Sequence, residues 1–222
     1  MISENLKKIK SKLPPQVKLV AVSKFHPAVA IQEAYDAGQR VFGESRPQEL
    51  AEKAKSLPGD IEWHFIGHLQ RNKVKLVLPY ASLVESVDSV ELLEAMEKWC
   101  ALEGRGVEVL IECHIAREPE KSGFTPEEAL SLLTGERTWP HIHIRGLMGM
   151  ATNTEDENII REDFTKLTTL NAALQPLLGL CPNIPSDFNL LSFGMSGDYR
   201  IAVEMGSNIV RIGTAIFGER EY

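Results

Sequence analysis

Apolar runs of strand length recur along the chain, and the stretches between them place apolar residues at helical spacing. The runs are "VKLVAVS" (17–23), "RVFGE" (40–44), "IEWHFIG" (61–67), "SLVESV" (82–87), "VEVLIECHI" (107–115), "HIRGLMGM" (143–150), "FNLLSF" (188–193) and "NIVRIG" (208–213). The intervening pattern predicts a polar first helix over about 2–12 and a second over "AVAIQEAYDAG" (28–38), ending at Gly38, a residue suited to a helix C-terminus. Residues 87–104 carry Leu92, Leu93, Met96, Trp99 and Cys100 at helical spacing. "TPEEALSLL" (125–133) opens on a Thr125-x-x-Glu128 capping box with Pro126 at the first helical position. Residues 156–175 align Ile160, Phe164, Leu167 and Leu174 on one side. The acidic "TEDEN" (154–158) falls at the start of that helix, where negative charge is favourable.

Eight strands alternating with helices predict an α/β fold, a (β/α)8 TIM barrel with an extra N-terminal helix. The competing arrangement is a doubly wound open sheet, but the Gly-rich phosphate turn GxGxxG is missing after the first strand. In a barrel, chemistry belongs at the C-terminal strand ends. Those ends carry Lys24, then Glu44 and Ser45, His68 and Gln70, Glu85 and Ser86, His114, and Met148 and Met150. Ser192 to Ser196 follow the seventh strand, and Arg211, Gly213 and Thr214 close the eighth. Every strand must meet water somewhere, so polar ends alone carry little. The last two ends carry more.

"SFGMSGDYRIAVEMG" (192–206) offers Ser196 as a helix N-cap with Gly197 and Asp198 in the first turn. A helix N-terminus presents unpaired N–H groups and partial positive charge to an anion. Gly213-Thr214 adds a position without a Cβ and a hydroxyl donor, in the second of the two loops where barrels commonly hold phosphate. Asp198 then has to turn its carboxylate away from the anion. Lys24 ends an apolar strand, where a desolvated amine has a lowered pKa and acts as a base or forms an imine. We expect Lys73 and Lys121, by contrast, to be ordinary solvated lysines. With Lys24 placed across the mouth from the phosphate loops, the pair brackets a phosphorylated carbonyl compound. Two ligands fit: a sugar phosphate aldehyde or pyridoxal 5′-phosphate.

Composition narrows the classes. The 222 residues suffice for a sizeable core and are read as one domain spanning 1–222. The net charge of −7 argues against nucleic acid or an anionic membrane as the main partner. The start lacks the apolar core of a signal peptide, and no run reaches membrane-spanning length. Cys100, Cys113 and Cys181 form no CxxC pair and fit reduced, buried residues, so the expected compartment is the cytosol.

The stretches "VAVSK" (20–24), "VFGES" (41–45), "WHFIGHLQRNK" (63–73), "KSGF" (121–124), "RGLMGM" (145–150), "LSFGMSGDY" (191–199) and "GSNIVRIGTAIFG" (206–218) resemble, in the same order, the pyridoxal phosphate homeostasis proteins of the YggS/PROSC family. The resemblance spans almost the whole chain. It implies a barrel similar to the N-terminal domain of alanine racemase, with pyridoxal 5′-phosphate at its mouth. It assigns Lys24 to the imine with the cofactor, and Ser196, Gly213 and Thr214 to the surroundings of the phosphate. Arg211 matches the arginine expected near the pyridine nitrogen, where a guanidinium that stays protonated leaves the ring a weaker electron sink. Ser45, Met148 and Ser192 complete the expected cofactor-binding set. Two positions depart from the family pattern: Ser45 and His114 both stand where relatives usually carry Asn.

Racemisation needs acid/base groups on both faces of the substrate carbon. In alanine racemase the second is a tyrosine from an added domain and the partner subunit, for which this chain has no room. Tyr222 is terminal, and Tyr35, Tyr80 and Tyr199 mark no clear strand end. The expectation is therefore a cofactor carrier in intracellular homeostasis or delivery, with no catalytic residue, monomeric, serving cofactor-requiring apoenzymes or a regulatory protein. The alternatives are a small fold-type III enzyme resembling an amino-acid racemase, and a cofactor-sensing interaction module. His64 is expected to pack in or near the barrel and His68 to line its mouth. "HIH" (141–143) lies at a strand start, the wrong end for function, and adjacent Cys113 and His114 face opposite ways, so neither a metal site nor a nucleophile pair is expected.

Overall fold

The computed structural model describes residues 1–218, and Tyr222 lies outside them. Eight parallel strands close into a barrel in chain order: β1 (Lys18–Val22), β2 (Val41–Glu44), β3 (Glu62–Phe65), β4 (Ala81–Val87), β5 (Val107–Cys113), β6 (Ile142–Gly149), β7 (Leu190–Ser192) and β8 (Ile209–Ile212). Closure is made by β8 against β1, with Ala21 opposite Ile212, which excludes the open doubly wound sheet. The helices are α1 (Ile2–Lys10), α2 (Ala28–Asp36), α3 (Pro47–Ser56), α4 (Val74–Val77), α5 (Val90–Glu103), α6 (Pro126–Thr134), α7 (Glu157–Leu174), α8 (Tyr199–Glu204) and α9 (Thr214–Phe217). The extra N-terminal helix α1 buries Leu6 and Ile9 and packs against α2 and α9.

Alternation along the strands builds two apolar layers. Leu19 and Ala21 of β1 face the helices, whereas Val20 faces the barrel interior with Leu83, Leu110, Met148 and Ile209. Each such fully buried side chain contributes roughly 1.5–3 kcal/mol. The interior is crowded beside β2: a Cβ on Gly43 would lie 2.9 Å from Val20 Cγ1, so a larger residue would have to push Val20 aside. Above this apolar floor the interior turns polar, and the change marks the C-terminal mouth.

The start signals are realised where expected. Thr125 and Glu128 form the reciprocal capping box of α6, and Asp156 caps α7 by accepting from the Asn158 N–H. Four differences have physical causes. Helix α3 was not read from the sequence, because its inward stripe includes Lys53, a charge where periodicity looks for an apolar residue. Ser196 is not a helix N-cap: α8 starts three residues later and Asp198 occupies the cap. The Asp198 carboxylate instead accepts from the Met195 N–H at 2.5 Å, closing the turn that holds Ser196 and Gly197. Strand β7 is shorter than its apolar run, because Phe188 leaves the ladder to fill the helix layer. Finally, barrel closure sets Lys24 beside the Gly213 loop rather than across the mouth from it.

Candidate functional site at the barrel mouth

Strand β1 ends at Val22, and Ser23, Lys24 and Phe25 turn out of it. A Cβ on Gly213 would sit 3.2 Å from the Val22 carbonyl oxygen, so the end of β8 runs close against the approach to Lys24. Gly213 precedes the first turn of α9, whose Ile216 and Phe217 N–H groups return to the Gly213 carbonyl. The Thr214 and Ala215 amides come before any helical acceptor and point out of the helix start. Thr214 is exposed, Ser196 half-buried, and the loop bearing Ser196 lies two strands from Lys24 in the barrel order.

Just below the mouth, charges and hydroxyls from four strands meet inside the barrel. His64 Nδ1 lies 2.5 Å from Glu85 Oε1, and the Ser192 hydroxyl contacts Glu85 Oε2. Arg211 Nη1 donates to the Ser192 carbonyl at 2.9 Å and Nη2 to the Gly149 carbonyl at 3.1 Å. All four side chains are buried. The second Nη2 hydrogen and the Nε hydrogen of Arg211 have no acceptor among the described residues, leaving donors for a ligand above. His64 thus packs inside the barrel as expected, with Glu85 as its partner. Glu112 of β5 also faces this space. Burial, helped by Asp88 and opposed by Arg211, pushes its carboxyl up to about 7.

The remaining expected residues take distinct places. Met148 is buried in the apolar floor, and Ser192 fixes Arg211 directly. Ser45 is half-buried just beyond β2. His114 Nε2 lies 2.9 Å from the Glu118 carbonyl oxygen, and His68 pairs with Asp88 at the rim. Lys121 is no solvated lysine: its ammonium donates to the Ala151 carbonyl at 2.8 Å and pairs with Glu118 at 3.1 Å. It borders a cavity of about 570 Å3, with Met150, Met195, Gly197 and Asp198, beside the mouth. His141 and His143 are taken up by Glu97 and Asp187 at the opposite end. Burial pushes the Cys113 thiol up to about 12, so it is inert.

Sequence reasoning missed a buried ionic cluster behind the β1 turn. Lys53 of α3 reaches Glu44 Oε1 at 2.8 Å, Glu49 Oε2 at 3.1 Å and the Ser23 carbonyl at 3.0 Å. The only advance signal was the i, i+4 spacing of Glu49 and Lys53. Among the described residues no group of three His, Cys, Asp or Glu side chains is placed to hold a metal, and no helix is long and apolar enough to cross a membrane.

A closed barrel of eight parallel strands alternating with helices is the architecture of the alanine racemase N-terminal domain. Residues 1–221 match the family model "Alanine racemase, N-terminal domain". The alanine racemase of Clostridium difficile superposes with a TM-score of 0.80 at 16% identity, covering 100% of this chain and 56% of that one, a likeness of fold. Within that class the chain belongs to the pyridoxal phosphate homeostasis protein family. It is 39% identical over 214 residues to the pyridoxal phosphate homeostasis protein of Vibrio alginolyticus, covering 94% of this chain and 89% of the relative. PipY of Synechococcus elongatus, in a structure with PLP bound, superposes with a TM-score of 0.86 at 36% identity, covering 98% of this chain and 100% of that chain.

Proposed function

We propose that residues 1–222 form one pyridoxal 5′-phosphate-binding domain that holds the cofactor on Lys24 and acts in its homeostasis or delivery, without robust turnover of its own. The observation that carries this reading is the convergence, at one mouth, of Lys24, the Gly213-Thr214 loop running against β1, and Arg211 with donors to spare. The residues fit the group by their chemistry: an amine for an aldehyde, a guanidinium for a ring nitrogen, amides and hydroxyls for a phosphate. Bound pyridoxal phosphate supplies an aldehyde that condenses with a primary amine and loses water.

The protein's part is to bind and orient. The Thr214 and Ala215 amides, the Thr214 hydroxyl and the Ser196 turn grip the anionic end. Ser45 and Met148 flank and floor the ring. Arg211, steadied by Ser192 and the Gly149 carbonyl, donates to the ring nitrogen and leaves no proton there, which disfavours carbanion chemistry. A carrier role is supported by the positions of the tyrosines. Tyr35 pairs with Asp60 and Tyr80 precedes β4, both at the far end of the barrel, while Tyr199 packs into the helix layer. The relatives' name, pyridoxal phosphate homeostasis protein, agrees with a role other than committed catalysis.

The test is to load the purified protein, remove free cofactor, and measure both transfer to an apoenzyme and loss of chirality in a panel of amino acids. Transfer without racemisation is expected. Turnover of an amino acid at ordinary enzymatic rates, on the order of 1–10³ s⁻¹, contradicts the carrier reading.

A further inference from the structure

The two peptide groups that flank Lys24 are both gripped from behind by one buried ionic cluster. On the N-terminal side, the Ser23 carbonyl accepts from Lys53 Nζ at 3.0 Å. On the C-terminal side, the Phe25 N–H donates to Glu49 Oε2 at 3.1 Å. Lys53 Nζ joins the two clamps, pairing with the same Glu49 oxygen at 3.1 Å. It also pairs with Glu44 Oε1, which in turn accepts from the Ser23 hydroxyl at 2.6 Å. Ser23 and Glu44 are fully buried, and Lys53 is 8% exposed.

The turn closes one backbone bond of its own, from the His26 N–H to the Ser23 carbonyl at 3.1 Å, but it contains a residue in a conformation that its side chain disfavours. Phe25 has φ +67°, the one non-glycine residue among those described in the left-handed region. A bulky residue there is strained and persists only when its surroundings dictate it. The Arg46 guanidinium, 4.2 Å over the Phe25 ring and 3.3 Å from Glu49, presses on the same turn from outside. The cluster is also a poor stability device. Buried ion pairs are often matched or bettered by apolar side chains of similar size. Among the described residues Glu44 Oε2 has no hydrogen-bond partner, so the site bears a desolvated oxygen as well. What apolar side chains lack is the means to hold a carbonyl and an N–H on either side of one residue.

We infer that Lys53 and Glu49 are positioning residues: they lock the peptide planes on both sides of Lys24 and so aim its amine into the barrel mouth. The inference rests on the reading of Lys24 as the cofactor's anchor, and it is tested by two readouts that separate the two claims. The first needs no cofactor. Amide hydrogen exchange in the full-length protein is expected to show the Phe25 N–H protected, and to show Lys53→Met and Glu49→Ala accelerating it tenfold or more while the Val20 and Arg211 amides stay as in the parent. Glu49→Gln keeps an oxygen acceptor and is expected to stay within threefold of the parent.

The second readout is the rate at which added pyridoxal 5′-phosphate becomes fixed to Lys24 by borohydride, followed by mass spectrometry. Lys53→Met and Glu49→Ala are expected to slow it about tenfold, with Glu49→Gln near the parent. In a Lys24→Ala background the same changes should leave non-covalent affinity for the cofactor within twofold. Unchanged Phe25 exchange in both variants overturns the inference. So does an equal loss of affinity in the Lys24→Ala background, which would mean general damage to the mouth. Should Lys53→Met fail to fold, the Glu49 pair decides alone. A parent protein that protects Phe25 yet never attaches the cofactor defeats the anchor reading and leaves the backbone lock standing.

Discussion

Glu85 and Arg211 face each other inside the barrel, 3.6 Å apart from Oε2 to Nη1, and neither side chain is more than 3% exposed. Burial drives the Glu85 carboxyl upward, but His64, Arg211 and Ser192 outweigh it and hold it below the usual carboxylate range. Each charge compensates the other in a place where almost none of either side chain is exposed. Glu85→Gln is therefore expected to cost about 3–5 kcal/mol, the range for breaking a buried pair from one side. Urea denaturation at neutral pH measures it, and a midpoint equal to the parent's contradicts the pairing.

Arg211 is also the residue expected to hold the cofactor ring. Arg211→Gln should weaken retention of pyridoxal 5′-phosphate by roughly 10- to 100-fold, as the loss of a charged hydrogen bond of about 1.5–3 kcal/mol predicts. Lys73→Gln, in the loop after β3, should leave retention unchanged. Dialysis of the loaded variants, read by absorbance, separates the two, and equal losses speak against the assigned geometry.

Glu112 gives the fold a pH dependence of calculable sign. Its folded-state pKa is pushed from 4.5 to about 7 by burial and by Asp88, against the pull of Arg211. As pH rises from 4.5 toward 7 the unfolded chain ionises first, so this group removes stability across that window and leaves a constant deficit above it. The full deficit is up to about 3 kcal/mol at 1.36 kcal/mol per pKa unit. Glu112→Gln should thus stabilise the protein at pH 8 and lose that advantage near pH 4.5. Denaturation midpoints at the two pH values check it; a gain at low pH only reverses the sign and sinks the argument.

Gly194 links β7 to the Ser196 turn with φ +97°, and a Cβ there would lie 2.5 Å from the Ala202 Cβ of α8. Gly194→Ala combines a strained φ with a clash, so a cost of about 2 kcal/mol or more is expected. In a chain of this size that lowers Tm by roughly 4–8 °C. A thermal melt unchanged within 1 °C, a margin well below that roughly estimated shift, counts against the geometry of this turn.

The barrel is legible because its strands are buried on both sides: "LVAV" (19–22) of β1 reads as apolar whichever face is inspected. The ends of those strands pointed to the mouth for the same reason, polarity appearing where burial stops. Where a charge takes a core position, periodicity fails, and α3 with Lys53 is the instance. Ser196 does not cap because α8 begins only at Tyr199, and the Asp198 carboxylate at the cap position turns back to the Met195 N–H instead of bonding a helix amide. The network around Arg211 has no local signature at all. Glu85 and Ser192 are 107 positions apart and meet only when the barrel closes.

The central claim is that the Lys24 nitrogen carries the cofactor. Purified protein mixed with pyridoxal 5′-phosphate, reduced with borohydride and digested, should yield one modified peptide, with the added mass on Lys24. Lys24→Ala should stay colourless and unmodified while keeping its fold. Modification spread over surface lysines, or undiminished in Lys24→Ala, would contradict the account.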